Sequence, residues 1–257
     1  MTGMFTGRIA LVTGGGSGIG AAAAERLAQE GAAVAIVDID GAAAGKVARR
    51  IGEAAGRAIA VTADIASEQG NIAAFDAVEA AFGPLDLAFL NAGALQPYVP
   101  LDALDLATFD RMVGINLRGA FLGVKQAHAR LRPGGACVVT ASAAGLIGFP
   151  DGLAYSAAKH GVVGIVRSAA RDFAARGLRI NAICPGMVAT PMIGFPPVEG
   201  VVPLDRLDTP DYRGAIAPQA VAEAALFLLS RAAAAVNGQA QAIDAALMSA
   251  FAPLPEE

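Results

Sequence analysis

Short apolar and β-branched runs alternate along this chain with longer stretches rich in alanine. The short runs predict buried strands. The longer stretches predict helices, because alanine, leucine, glutamate and arginine lose little side-chain freedom in a helix. With right-handed crossovers, such an alternation folds into a parallel sheet that carries helices on both faces. The pattern therefore predicts an α/β fold.

Seven strands are predicted, at Arg8–Val12, Ala33–Val37, Ala58–Thr62, Leu87–Leu90, Ala136–Thr140, Arg179–Ile183 and Ala240–Ile243. Helices are predicted near 18–30, 41–54, 68–82, 102–131, 153–176 and 219–229. With 257 residues, 55% of them hydrophobic, the chain is long enough for one large core. We predict a single-domain, Rossmann-like, doubly wound sheet of about seven parallel strands over residues 1–257. A proline-rich stretch at about 187–217 is expected to form a substrate lid.

Charge and composition argue against several classes of function. A net charge of -4 and scattered basic residues do not favour nucleic-acid binding. Prolines interrupt the longest uncharged stretches, and the first residues lack the pattern of a secretory signal, so we expect no membrane span and a cytoplasmic protein. Cys137 and Cys184 lie in strand-like runs and are expected to fill the core. His128 and His160 form no cluster with cysteine, and no metal site is predicted.

A glycine-rich turn follows the first predicted strand and leads into an alanine-rich helix. It reads Thr13-Gly14-Gly15-Gly16-Ser17-Gly18-Ile19-Gly20. Small residues let the backbone approach a pyrophosphate, and the helix N-terminus favours its negative charge. A merely flexible turn is the alternative, but the position directly after the first strand favours dinucleotide binding.

The second predicted strand ends at Asp38, where an acidic residue in this architecture binds the adenosine ribose hydroxyls. A carboxylate there would repel a 2′-phosphate, and no basic residue lies in the glycine turn or just after Asp38 to bind one. NAD is therefore expected and NADP is disfavoured. Alternatively, Asp38 caps the next helix, although Asp40 is better placed for that role.

Three polar residues are expected to meet at the reactive end. Tyr155 and Lys159 are one turn apart on a predicted helix, and Ser142 follows the fifth strand, whose carboxyl end borders the ligand crevice. A phenol releases its proton near pH 10 unless positive charge stabilises the phenolate, and the Lys159 ammonium would supply that charge. An ordinary exposed helix face is the alternative for Tyr155 and Lys159 taken alone.

Together these motifs resemble the short-chain dehydrogenase/reductase family, in its shorter, classical type, over nearly the whole chain. The motifs that carry the resemblance are the Thr13–Gly20 turn, Asp64, Asn91-Ala92-Gly93, Asn116, Ser142, Tyr155, Lys159 and Pro185-Gly186. The resemblance implies a hydride transfer between nicotinamide and a secondary alcohol or ketone. A reductase of 3-oxoacyl thioesters and a non-catalytic NAD-binding sensor are the alternatives.

The resemblance also implies the roles of individual residues. Tyr155 would be the general acid/base, Ser142 would hold the substrate oxygen, and Lys159 would lower the pKa of Tyr155 and bind the nicotinamide ribose. Asn116 would position a water, or would simply bend its helix or satisfy the helix backbone. Thr190 would contact the nicotinamide end, or would cap a helix ahead of Pro191. The full set of expected cofactor-binding residues is Gly14, Gly16, Ser17, Gly18, Ile19, Gly20, Asp38, Asp64, Ile65, Asn91, Ala92, Gly93, Tyr155, Lys159, Pro185, Gly186, Val188 and Thr190.

Two parts of the chain bear on the substrate and on assembly. Apolar residues of the expected lid predict an apolar substrate pocket; they are Met187, Met192, Ile193, Phe195, Val201, Val202 and Leu204, with Leu95 and Tyr98 opposite. The substrate itself is not readable. Near the C-terminus, Asp244-Ala245-Ala246 stands where the family commonly has Asp-Gly-Gly, which costs stability or forces another backbone path if those glycines adopt positive φ. The family implies a homo-oligomer, a tetramer or dimer, and this departure weakens that expectation.

Overall fold

The computed structural model describes residues 3–196 and 214–249 and contains a seven-stranded parallel sheet. Its strands are β1 Ile9–Thr13, β2 Ala33–Asp38, β3 Arg57–Thr62, β4 Leu87–Leu90, β5 Ala136–Thr140, β6 Arg179–Pro185 and β7 Ala240–Ile243. The sheet order is β3-β2-β1-β4-β5-β6-β7, and every neighbouring pair is parallel. The predicted fold class is therefore confirmed, and each strand bound lies within two residues of its prediction.

Within the described ranges, seven α-helices join or follow the strands. They are α1 Gly18–Gln29, α2 Gly41–Glu53, α3 Glu68–Phe82, α4 Leu106–Met112, α5 Gly119–Arg130, α6 Leu153–Ala175 and α7 Pro218–Leu229. None of the helices in the described ranges is both long enough and apolar enough to pass through a bilayer.

The helix predicted at 102–131 is correct only in part: an uninterrupted helical run covers 106–130, but it begins later than predicted and is not α-helical throughout. A short 3-10 turn occupies Leu101–Ala103, α4 starts only after Asp105, and a π-helical segment at Val113–Arg118 joins α4 directly to α5. The Asp105 carboxylate accepts from the backbone N–H of Thr108 at 2.6 Å and so fixes the start of α4. The wide turn places Asn116 against the backbone that follows β4, a tertiary contact that helical periodicity does not reveal.

The two faces of the sheet build two separate cores, because side chains alternate along each strand. Ala10 and Val12 of β1 pack into one core, and Leu11 between them packs into the other. The first core also contains residues of α1 and α7, and the second contains residues of α3, α5 and α6. Cys137 and Cys184 are free thiols buried in the second core, as expected.

The chain reverses its winding direction at β1, which lies between β2 and β4. The chain runs from β1 outwards to β2 and β3, then crosses from β3 back to β4 on the other side of β1 and continues outwards to β7. The loops after β1 and β4 therefore diverge and leave a crevice at the carboxyl edge of the sheet.

After β7 the backbone turns through two alanines in the left-handed region, with φ of 50° at Ala245 and 69° at Ala246. The Asp244 carboxylate accepts from the backbone N–H groups of Ala246 at 3.2 Å and Met248 at 2.9 Å, which holds the turn. The two alanines that replace the family's glycines therefore do not force another backbone path. They adopt the left-handed conformation, which costs folding free energy.

We expect Ala246→Gly to raise the free energy of unfolding by about 1 kcal/mol, because glycine adopts this conformation without steric cost. Equilibrium urea denaturation measures the change. Ala73→Gly is the control, since the same substitution at an exposed position inside α3 should lower stability by about 1 kcal/mol. An Ala246→Gly variant that is no more stable than the parent chain would contradict the assignment of strain.

Candidate active site

A cavity of about 920 Å³ lies in the crevice at the carboxyl edge of the sheet. The turn after β1, the end of β2 and the segments after β4, β5 and β6 all contribute to its wall. Most of the predicted site residues line it; they are Gly14, Ser17, Gly18, Ile19, Asp38, Asp64, Ile65, Asn91, Ala92, Gly93, Asn116, Ser142, Tyr155, Lys159, Pro185, Gly186, Val188 and Thr190. Gly16 and Gly20 are not part of that wall, although both lie in the glycine turn. The volume lies within the range of ligand sites in proteins.

The glycine turn packs closely against the segment that follows β4. The Thr13 hydroxyl accepts from the backbone N–H groups of Asn91 at 3.0 Å and Ala92 at 3.1 Å. Gly14 has a φ of 62°, and a β-carbon there would lie 2.8 Å from the Ala92 backbone, so only glycine fits. Helix α1 begins at Gly18, and the side chain of its N-cap residue Ser17 forms no capping bond. The N–H groups of the first turn are thus free of a side-chain cap and suit a phosphate.

Asp38 lies at the end of β2 and faces the glycine turn. Its carboxylate accepts from the backbone N–H of Gly16 at 2.9 Å and from that of Asp40 at 3.0 Å. Asp40, in turn, caps α2 by accepting from Ala42 and Ala43, both at 3.0 Å. The helix cap is therefore Asp40, and Asp38 remains a carboxylate on the cavity wall.

Asn91 and Thr140 connect the ends of β4 and β5. The Thr140 hydroxyl donates to the side-chain carbonyl of Asn91 at 3.1 Å, and the Asn91 amide lies 3.4 Å from the Gly14 carbonyl oxygen. Asp64 accepts from the backbone N–H of Ala66 at 2.9 Å and, like Asp38, lines the cavity. These polar contacts fix the wall between the glycine turn and the reactive end.

Ser142, Tyr155 and Lys159 lie together in the wall of the same cavity. Ser142 caps the short turn after β5 by accepting from the backbone N–H of Ala144 at 3.1 Å. Tyr155 and Lys159 lie on the same face of α6, with the Lys159 ammonium 5.6 Å from the centre of the Tyr155 ring. Lys159 is 3% exposed, and its ammonium donates to the Thr140 carbonyl oxygen at 2.9 Å.

Burial shifts the pKa values of both Tyr155 and Lys159, and the shift of Tyr155 is opposite to the expected one. Burial raises the pKa of the Tyr155 phenol above 10, although the hydrogen-bonding Ser142 side chain acts in the opposite direction. Burial also lowers the pKa of Lys159 to about 8. Burial is the largest cause of the Tyr155 shift and Lys159 is not among its causes, so the expected lowering of the Tyr155 pKa by Lys159 is not found.

The shifted pKa of Lys159 predicts a specific pH dependence of stability. The unfolded chain binds more protons than the folded chain between pH 8 and 10.5, so the free energy of unfolding rises with pH over that interval. Relative to Lys159→Met, we expect the parent chain to gain about 3 kcal/mol across it. Urea denaturation at a series of pH values measures the difference. Lys125→Met, at a surface position, is the control; a Lys159→Met difference that does not change with pH would contradict the prediction.

Asn116 projects from the π-helical segment into the gap between α6 and the segment after β4. Its side-chain oxygen accepts from the backbone N–H of Ala94 at 3.1 Å, and its amide donates to the Ala94 carbonyl oxygen at 2.9 Å. A β-carbon at Gly93 would lie 2.8 Å from the Asn116 oxygen and 3.4 Å from the Lys159 nitrogen. Asn116, Gly93 and Lys159 therefore pack together, and Asn116 is bonded to loop backbone rather than to its own helix backbone.

The described part of the expected lid lies along the cavity. Met187, Met192, Ile193 and Phe195 line it, as do Leu95 and Tyr98 opposite. Pro191–Ile193 form a 3-10 turn; Thr190 precedes it, but its hydroxyl donates to the Val188 carbonyl oxygen at 3.3 Å instead of capping the turn. Val201, Val202 and Leu204 lie outside the described residues.

Sequence reasoning missed part of the apolar wall. Ile147 and Phe149, in the loop between β5 and α6, line the cavity, and Phe149 packs edge-on against Tyr98 with ring centres 5.5 Å apart. Leu247, beyond the left-handed turn, also lines it. Because Ile147 and Phe149 follow Ser142 closely in the chain, the sequence could have indicated that they lie near the active site. Nothing in the sequence indicates that Leu247 lines the cavity.

A family model described as enoyl-(acyl carrier protein) reductase matches residues 14–247. Among curated relatives, the cis-4-hydroxycyclohexanecarboxylate dehydrogenase of Sinomonas cyclohexanicum is 40% identical and aligns over 93% of this chain and 96% of its own. The cyclohexanol dehydrogenase of an Acinetobacter species is 39% identical over 97% of this chain and 98% of its own. The short-chain dehydrogenase reductase 3b of Arabidopsis thaliana is 36% identical over 93% of this chain and 94% of its own.

Solved structures share the fold. The crystal structure of levodione reductase superposes with a TM-score of 0.86 at 34% identity, covering 96% of this chain and all of that one. A 3-ketoacyl-(acyl-carrier-protein) reductase from Brucella melitensis, complexed with NADH, superposes with a TM-score of 0.82 at 32% identity, covering 94% of this chain and 98% of that one.

Proposed function

The chain belongs to the short-chain dehydrogenase/reductase family, and from that premise we propose that it is an NAD-dependent dehydrogenase/reductase of a secondary alcohol with a hydrocarbon ring and of the corresponding ketone. The observation that carries the proposal is that Ser142, Tyr155 and Lys159 lie together in the wall of the same 920 Å³ cavity that the glycine turn lines. The family binds a nicotinamide cofactor, which accepts or donates the hydride when it is bound.

Asp38 supports NAD over NADP. Its carboxylate is held by two backbone N–H groups at the mouth of the glycine turn, where it is available to the hydroxyls of an adenosine ribose. A 2′-phosphate at this point would meet a negative charge. The next residue, Ile39, is 72% exposed and offers no positive charge to compensate.

In the proposed chemistry, Ser142 donates a hydrogen bond to the substrate oxygen and Tyr155 exchanges the proton with it. The raised pKa keeps the phenol protonated at neutral pH, which suits proton donation to a ketone oxygen. Oxidation of the alcohol needs the phenolate instead, so we expect it to accelerate as the pH rises. Lys159 and Asn116 hold the backbone segments around Tyr155 in place through their hydrogen bonds to Thr140 and Ala94. We also propose that Lys159 binds the nicotinamide ribose.

The substrate class follows from the apolar side chains around Tyr155. Leu95, Tyr98, Ile147 and Phe149 form one wall, and the methionines and Phe195 of the expected lid form the other. Apolar walls favour a hydrocarbon ring around the reacting carbon over a sugar. The names of the curated relatives, which refer to cyclohexane-type alcohols, point in the same direction.

A reductase of 3-oxoacyl thioesters is the second candidate function. The family model's description and the similarity to a 3-ketoacyl-(acyl-carrier-protein) reductase favour it. It would use the same polar residues, so only the preferred substrate separates the two functions.

A substrate panel tests the proposal. Cyclohexanol, 4-hydroxycyclohexanecarboxylate, a linear secondary alcohol, the matching ketones and a 3-oxoacyl thioester are assayed with NAD(H) and NADP(H) by nicotinamide absorbance. We expect the highest kcat/KM for cyclohexanol or cyclohexanone with NAD(H). A preference for the thioester would instead support the second function. A preference for NADP(H) would contradict the role assigned to Asp38.

We further propose that the protein is a cytoplasmic homo-oligomer, a tetramer or dimer, as the family resemblance implies. Sedimentation velocity of the purified protein and fractionation of expressing cells test these two points.

A further inference from the structure

One buried glutamine connects the substrate wall to the start of helix α6. Gln96 is 2% exposed and lies in the segment after β4. Its side-chain oxygen accepts from the backbone N–H of Tyr155 at 2.8 Å. Its amide donates to the carbonyl oxygens of Asp151 at 3.2 Å and Pro97 at 3.3 Å. The side chain therefore bridges two segments of the chain, since Gln96 and Tyr155 are 59 residues apart in the sequence.

The start of α6 lacks a cap of its own. Its N-cap residue is Gly152, which has no side chain to accept from the first N–H groups of the helix. Tyr155 is the third residue of α6, the position whose N–H a capping side chain normally bonds. Gln96 supplies that acceptor from another part of the chain.

The turn before α6 is held by the same segment. Asp151 is in the left-handed region with a φ of 56°, which few residues other than glycine adopt without strain. Its carbonyl oxygen accepts from both the Gln96 amide and the backbone N–H of Val99, the latter at 3.0 Å. The residues on either side of Gln96 and Pro97, namely Leu95 and Tyr98, line the cavity.

We propose that Gln96 is a positioning residue: by capping α6 at Tyr155 it sets where the phenol lies relative to Ser142, and it ties that position to the substrate wall at Leu95 and Tyr98. This inference rests on the proposed proton transfer by Tyr155. It assigns Gln96 no contact with substrate or cofactor. Misplacing a reacting group by about 1 Å can cost about 100-fold in rate, so a displaced cap should act on kcat.

The test compares variants of Gln96 that keep or lose the cap. Gln96→Met has nearly the same shape but no polar atom, and we expect kcat to fall about 10- to 100-fold with the NAD dissociation constant changed less than about 2-fold. In Gln96→Glu, burial favours the neutral carboxylic acid, which keeps one acceptor for Tyr155 and one donor for Asp151. We expect this variant to recover most of the lost kcat.

Asn237→Leu is the matched control, because Asn237 also bridges two backbone groups and also holds α6. It accepts from the Ile180 N–H at 2.8 Å and donates to the Ala170 carbonyl oxygen at 3.0 Å, at the amino end of β6, away from the cavity. We expect it to lower the urea midpoint about as much as Gln96→Met does, with kcat within about 2-fold of the parent.

Equal kcat losses in Gln96→Met and Asn237→Leu, or no recovery in Gln96→Glu, would overturn the positioning role. If Gln96→Met does not fold, Gln96→Asn takes its place, since it keeps both polar groups but is one methylene too short to bridge them. Tyr155→Phe is measured in the same series. If this variant retains full turnover, the proposed function fails. If turnover is lost in Tyr155→Phe but unchanged in the Gln96 variants, only the positioning role of Gln96 fails.

Discussion

Replacing Tyr155 by phenylalanine is expected to lower kcat about 1,000-fold while NAD binding stays within about 2-fold of the parent, because a positioned acid/base contributes about 100- to 10,000-fold. The substitution removes one hydroxyl from a partly buried ring that packs 6.4 Å from Phe149, so the wall keeps its shape. Steady-state rates with cyclohexanol and cyclohexanone give kcat, and titration of NAD followed by fluorescence gives the dissociation constant.

Tyr98→Phe is the control for this experiment. Tyr98 lines the same cavity and packs against the same Phe149, but its side chain is 60% exposed and has no assigned part in proton transfer. We expect its kcat to change less than about 5-fold, which corresponds to about 1 kcal/mol. If Tyr155→Phe keeps a tenth or more of the parent turnover, another group must transfer the proton.

Asp38→Asn is expected to weaken NAD binding about 10- to 100-fold and to narrow the preference for NAD over NADP by a similar factor. A hydrogen bond to a charged group contributes about 1.5 to 3 kcal/mol, and each 1.4 kcal/mol changes affinity about tenfold. Removal of the charge also removes the repulsion of a 2′-phosphate. The dissociation constants and the kcat/KM ratio for the two cofactors measure both effects.

Asp40→Asn controls for the loss of one negative charge near the same strand end. Asparagine is as good a helix cap as aspartate, so α2 should keep its start, and the cofactor preference should stay as in the parent. An unchanged NAD/NADP ratio in Asp38→Asn would mean that other groups select the cofactor.

Much of the architecture could be predicted because it depends on local patterns. The five inner strands follow from apolar runs that are largely buried on both faces, and β1 to β7 lie within two residues of their predicted bounds. The glycine turn, Ser142 and the Tyr155–Lys159 pair reach the same cavity because strand ends and a helical repeat of four residues determine their placement.

What could not be predicted depends on contacts between distant segments. The π-helical turn at Val113–Arg118 accompanies the bonds of Asn116 to Ala94, and the capping of Tyr155 by Gln96 joins residues that no periodicity relates. The direction of the Tyr155 pKa shift also depends on the tertiary structure. Spacing indicates that Lys159 is near, but only the folded structure shows that burial is the largest cause of the shift.

The π-helical segment also limits how this part of the chain can change in length. A π turn holds one residue more than an α turn, so deletion of a single residue within Val113–Arg118 would leave an ordinary helix. Because each helical residue turns the chain by about 100°, the side chains on one side of the deletion would rotate out of register with those on the other. Asn116 would then either lose its two hydrogen bonds to the Ala94 backbone or move out of its position in the helix. Insertions and deletions tolerated in neighbouring surface loops should therefore be absent here among functional relatives of this chain.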